Sequence, residues 1–142
     1  MDDELLNAAI SGEGKPAYSM DELLMLTMAS MATQKIGNDL EAEELLLSAE
    51  RKVQRARLNG VDNPGIYYSE AVLLAMRNDQ ELAMSKLQQA YDRGFREHWL
   101  LKIDDRLDSL RDQAEFIALQ NRIDDDINRA MAEIRSMTLA AL

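Results

Sequence analysis

The residues of this chain that could do chemistry are few and scattered. Among 142 residues there is one histidine, His98, and no cysteine. A two-histidine metal site, a thiolate nucleophile and a cysteine zinc cage are therefore all ruled out. His98 has no helical carboxylate partner beyond the adjacent Glu97, and a catalytic site needs several converging groups. Asp124, Asp125 and Asp126 lie inside a helical pattern, where successive side chains point about 100° apart and do not converge on one cation. Asp104, Asp105 and Asp108 fall in a turn, where aspartate commonly caps a helix. Neither the glycine spacing of a phosphate loop nor a Glu-x-x-His pair occurs, so both of those chemistries lack their residues. The sequence predicts no catalytic residue, no bound metal and no cofactor.

The elements around these residues read as helices throughout. Hydrophobic residues make up 46% of the chain and aromatic ones only 5%, with nine Met, six Gly and two Pro; this is the balance of an all-α protein. The formal net charge of −10 repels a phosphate backbone, so no nucleic-acid partner is expected. The chain starts Met1-Asp2-Asp3-Glu4, acidic where a secretory signal is basic, and no apolar run reaches the length of a membrane span. No direct membrane insertion is expected, and the compartment stays open.

Along the chain, Ser11-Gly12-Glu13-Gly14-Lys15-Pro16 breaks a short apolar pattern, and residues 1–17 read as an N-terminal segment and linker at a cut end. A helix is predicted from Ser19 to Ile36, with Ser19 and Glu22 forming a capping box and Gly37 ending it. A second runs from Asn38 or Asp39 to Leu58, carrying Ala42, Leu45, Leu46, Ala49, Val53 and Ala56 on one stripe. After the break at residues 59–65 a third runs to Arg77, with Pro64 in its first turn. Asn78 is expected to cap a fourth, with Glu81 reaching back to it and Gly94 closing it. A short helix is expected around 97–103, with Trp99 anchoring it against the last helix. Beyond Asp112 a long helix places Phe116, Leu119, Ile123, Ile127, Ala130, Ile134 and Met137 on one face.

Asn38-Asp39-Leu40-Glu41 and Asn78-Asp79-Gln80-Glu81 separate successive helical patterns at nearly the same spacing, the mark of a repeated helix pair. Small Ala71, Ala83 and Ala90, with Leu74 and Leu87, stand where two helices of a pair approach closely. Tyr67 to Phe95 resembles a tetratricopeptide repeat in these positions, with Glu70 and Phe95 departing from it. Residues 24–58 are similar, with Ser30, Ala42, Leu46 and Ala49 in the matching places. Phe95 to Ile123, with Trp99-Leu100-Leu101, Asp104 to Asp112 and Phe116, resembles the segment that closes such arrays in multidomain bacterial signalling proteins. In that pattern Pro follows Asp104 and another Pro-Arg precedes the Phe, where this chain has Asp105 and Ala114-Glu115.

The resemblance implies an all-α fold of antiparallel helix pairs stacked in a tetratricopeptide-like array with a long C-terminal capping helix. Residues 18–142 would be one domain: a first pair over 18–60, a second over 64–94, and a closing turn and capping helix over 95–142. It also implies a groove lined by the first helix of each pair, through Thr27, Met31, Tyr68, Val72 and Met76, that takes an apolar peptide or helix of a protein partner. Aspartate at Met31 or Val72 should then block binding without unfolding the chain. The function expected is a non-catalytic interaction module, the C-terminal part of a larger bacterial signalling or regulatory protein. The alternative is homodimerisation through the same apolar face, and third stands a metal-dependent enzyme built on the acidic clusters.

Overall fold

The computed structural model describes residues 18–142, which form helices joined by short turns, with no strand among them. The helices are α1 (Met20–Lys35), α2 (Asp39–Leu58), α3 (Pro64–Met76), α4 (Gln80–Asp92), α5 (His98–Ile103) and α6 (Ala114–Ala140), with a 3-10 segment, Asp105–Leu110, before α6. The all-α class expected from composition is the class observed.

Local chemistry sets the boundaries. The Ser19 side chain accepts a hydrogen bond from Glu22 N at 3.4 Å, and Asn38 from Glu41 N at 3.3 Å. Each satisfies one amide that a helix start would otherwise leave unpaired. The helix ends are equally explicit. Gly37, Gly60 and Gly94 all have positive φ, and the following amide folds back on the last turn, as in Asn38 N to Thr33 O at 3.0 Å and Phe95 N to Ala90 O at 2.9 Å. Glycine takes this left-handed residue without a side-chain clash.

The turn between α3 and α4 does the same job with one residue displaced. Asn78 has φ +59° and ends α3 in the position that Gly37 holds after α1, while Asp79 is the cap, its carboxylate accepting from Leu82 N. The expectation that Asn78 caps α4 is therefore corrected. Asparagine tolerates the left-handed conformation better than most residues, and it closes one helix here without opening the next.

α1 packs along α2, and α3 along α4; α3 also meets α1, α2 and the 3-10 segment, while α6 lies on α4 and α5. Small residues sit at the crossings. Ser30, Ala42 and Ala49 in the first pair and Ala71, Ala83 and Ala90 in the second are all buried, so the backbones can approach closely. Ser30 satisfies its hydroxyl on the carbonyl of Ala42 at 2.7 Å. The core continues through Ile66, Leu87, Leu101, Leu107, Leu110, Phe116, Leu119 and Ile123. Tyr68 and Phe95 stack within it, ring centres 4.5 Å apart and planes 8° from parallel.

Two aromatic and apolar expectations change. Trp99 is 60% exposed, because α5 turns Leu101 inward and leaves Trp99 on its outer side. It does not anchor the turn. The stripe of α6 covers the core only over its first half: Phe116, Leu119 and Ile123 are buried, whereas Ile134 and Met137 are 62% and 71% exposed.

Candidate interaction surfaces

The five residues expected to line a groove divide in two. Thr27, Tyr68 and Val72 are completely buried, and Met31 and Met76 are half-buried. The space over α1 and α3 is occupied by the chain's own 3-10 segment, which brings Arg106, Leu107 and Leu110 into the interior. The open groove expected at Thr27, Tyr68 and Val72 is thus filled from within. An aspartate at Val72 would place a carboxylate in the core and unfold the chain, contrary to the sequence-based expectation.

Asp104, expected from its turn position to cap a helix, is also half of the buried ion pair with Arg106 that holds the 3-10 segment there. Asp104 does cap the segment, its Oδ1 accepting from Arg106 N at 3.1 Å. The same carboxylate takes Arg106 Nε at 2.8 Å on Oδ1 and Nη2 at 2.6 Å on Oδ2. Tyr68 donates its hydroxyl to Oδ2 at 2.5 Å, and Arg106 Nη1 donates to Thr27 Oγ1 at 3.1 Å. Thr27 in turn donates to Leu23 O at 2.8 Å. Arg111 secures the backbone outside the pair, donating to Asp104 O at 2.7 Å and Leu101 O at 3.0 Å. Ser109 Oγ donates to Ala75 O at 3.0 Å and Gln80 Nε2 to Ser109 O at 2.9 Å.

The electrostatics follow the geometry. Burial alone would raise the Asp104 carboxyl, but the hydrogen bonds from Arg106 and Tyr68 outweigh it and hold the group below the ordinary carboxylate range. Burial pushes the Tyr68 hydroxyl well above its usual value, and the neighbouring Asp104 charge pushes it further. Both oxygens of Asp104 are used up within the chain. This site is a structural lock.

In the acidic triplet of α6 only Asp125 is exposed; Asp124 and Asp126 are half-buried, Asp124 pairing with Lys102 at 3.1 Å and Asp126 accepting from the Tyr91 hydroxyl. Among the described residues no group of three or more His, Cys, Asp or Glu side chains is arranged to hold a metal ion, and no helix is long and apolar enough to cross a membrane.

A recess of about 590 Å³ lies between α2, α3 and α4 over Val53, Leu73, Leu74 and Leu82. Its rim cations already hold carboxylates. Arg77 reaches Glu43 at 2.8 Å and Glu50 at 2.5 Å, and Lys86 lies 3.1 Å from Glu70. Arg57 Nε lies 2.8 Å from Glu70 Oε1, a contact of charge without hydrogen-bond alignment. Beside it Tyr67 donates to Asp62 at 2.5 Å and lies between the guanidinium groups of Arg57 and Arg93, 4.2 and 4.4 Å from its ring centre. The recess therefore offers an ordered, self-neutralised rim and little spare charge for a ligand.

The apolar surface left open lies elsewhere. On α1, Leu24, Met25, Met28 and Ala32 are exposed, Met25 by 73%, and so is Ile36, the residue that caps its end. At 3.6 residues per turn these positions fall within one arc of about 120°, a continuous stripe turned away from the core. Met20, Leu23, Leu24, Met25, Leu26, Met28 and Met31 make this helix apolar on more than one side. The second uncovered stripe is the distal half of α6. Comparison with protein-family models, with curated proteins and with solved structures finds no match.

Proposed function

We propose that this chain is a non-catalytic protein-interaction module of tetratricopeptide-like build, and that the outward stripe of α1 receives an apolar helical segment of a protein partner. The observation that carries this reading is the uncovered stripe Leu24, Met25, Met28 and Ala32, continued by Ile36, on a helix whose opposite side buries Leu23, Thr27 and Ser30. Soluble proteins seldom leave contiguous apolar area uncovered without a binding role. Methionine suits such a surface, because its unbranched, polarisable side chain adapts to different partners.

The array reading is supported by the two helix pairs with small residues at equivalent crossings and by the matching helix ends at Gly37 and Asn78. In an array each pair buries its faces against its neighbours, and the outer face of the first helix is where a further unit or a partner helix would stack. The resemblance of residues 95–123 to the closing segment of such arrays supports reading the module as part of a bacterial signalling or regulatory protein. Its inner face is closed by the Asp104–Arg106 lock, so binding moves from the groove to α1.

Selection of amphipathic helical peptides from a displayed library against this chain tests the proposal. Peptides that bind should lose at least about tenfold in affinity on Met25→Asp/Met28→Asp, with helix content unchanged. Binding that survives that pair of substitutions, or a library that yields no helical binder, would overturn the assignment.

A further inference from the structure

The chain carries nine methionines and no cysteine, so the thioether is the only sulfur that an oxidant meets. The fold sorts these side chains by access. Met84 is sealed in the core, and Met20, Met31 and Met76 are half-buried. Met25 and Met28 stand in the open on α1, 73% and 45% exposed. Three residues apart, they lie side by side on one face of the helix, within the stripe that begins at Leu24 and continues through Ala32. Met131 and Met137 are exposed as well, but at a distance from that stripe in sequence and fold. They belong to the part of α6 from Asn128 onwards, where every residue is exposed and the helix projects from the body of the domain.

We infer that Met25 and Met28 form a reversible oxidation site, and that their conversion to methionine sulfoxide by hydrogen peroxide releases a helical segment docked on α1. This rests on the reading of the α1 stripe as the binding surface. In the reaction a lone pair of the thioether sulfur attacks one peroxide oxygen, the O–O bond breaks and an S–O bond forms. The proton of the transferred hydroxyl passes to the departing hydroxide, which leaves as water. Sulfur is oxidised by two electrons and the peroxide is reduced by two. The step needs only that peroxide reach the sulfur, and the outer side of α1 gives that access.

The product changes the surface without touching the fold. A sulfoxide replaces a flexible apolar group with a polar one, and a partner's apolar face laid over it would bury an oxygen with no donor to satisfy it. Two neighbouring side chains of the stripe change together. The residues that hold α1 to the core are Leu23, Thr27 and Ser30, none of which carries sulfur, so the helix stays in place while its outer face turns polar. The change is also reversible, because the two methionine sulfoxide reductases, one for each epimer, return the thioether. Leucine at these positions would give an apolar stripe with no such chemistry.

Binding and oxidation exclude one another. A docked helix covers both sulfurs, so peroxide acts on the free surface and the partner competes with it. Saturation with partner should therefore slow oxidation at Met25 and Met28 and leave Met137 unaffected.

The test uses the whole chain and a methionine-free helical peptide selected against its reduced form. Oxidation by hydrogen peroxide is followed at each methionine by peptide mass spectrometry, and peptide affinity is measured before and after. Met25 and Met28 should convert well before Met84, and affinity should fall at least about tenfold with helix content unchanged. The two reductases should restore it. Met25→Leu/Met28→Leu, a change of similar volume at exposed positions, should bind the peptide and keep its affinity after peroxide, whereas Met131→Leu/Met137→Leu should lose affinity as the parent does. Unchanged affinity after full conversion of Met25 and Met28, or a loss that persists in Met25→Leu/Met28→Leu, would overturn the inference while leaving the α1 surface standing. A peptide that binds the reduced chain without protecting Met25 and Met28 from peroxide would overturn both.

Discussion

Replacing Asp104 with asparagine keeps the shape of the closing lock and removes its charge. The Arg106 and Asp104 side chains are 4% and 3% exposed, so the guanidinium would be left buried with a neutral partner in place of a carboxylate accepting two of its donors. Removing one member of a buried pair costs about 3–5 kcal/mol, because the remaining charge is no longer compensated. For a domain of this size that is a fall of about 10–20 °C in melting temperature. The double change Asp104→Leu/Arg106→Leu removes both charges together, and a buried pair exchanged for apolar groups is close to neutral. Most of the loss should then be recovered, although Tyr68 and Thr27 each lose a partner. The assay is urea unfolding followed by circular dichroism, with the two single variants and the double in one cycle. An Asp104→Asn variant within about 1 kcal/mol of the parent would refute the lock, since a pair that can be halved at no cost is not holding the segment.

Asp104 also sets an acid limit. Its folded carboxyl titrates below the unfolded value, so the stability it supplies is present above about pH 4 and is lost as the pH falls through the folded value; the acid unfolding curve of the double Leu variant should lack this component. Tyr68 acts at the other end. Its hydroxyl titrates above the unfolded value, so stability should decline as the pH rises beyond about 10, and less so in Tyr68→Phe. Asn78→Gly, at φ +59°, should stabilise the chain by about 0.5 kcal/mol in chemical unfolding, because glycine adopts this conformation more readily. Phe95→Ala removes the ring stacked on Tyr68 at 4.5 Å and should cost about 3–5 kcal/mol.

The helices were legible because their punctuation is local. Ser19, Gly37, Gly60, Pro64 and Gly94 each act through their own backbone or nearest amides, and short-range rules are enough to place them. The register of the α3–α4 turn was misread by one residue because Asn both caps helices and tolerates positive φ, and only the chain path decides between the two. Pairwise contacts across the molecule were harder to see. Asp104 and Arg106 stand two residues apart in a turn, where charge usually means exposure. The signal that could have found them is the apolar frame of Leu101, Leu107 and Leu110, which draws the intervening polar residues into the core. The same frame fills the space over Thr27, Tyr68 and Val72, so the groove positions carried over from the repeat pattern became interior. The excess apolar character of α1 was visible in the sequence, and its open side proves to be the stripe through Met25.

The chain's nine methionines supply the most direct test of where a partner binds. Methyl-labelled methionine spectra would be recorded while titrating a selected apolar helical peptide. The account predicts that the Met25 and Met28 signals move, while those of Met84 in the core and Met137 on the projecting helix stay in place. Shifts at Met31 and Met76, with Met25 and Met28 unmoved, would contradict it and return binding to the inner face.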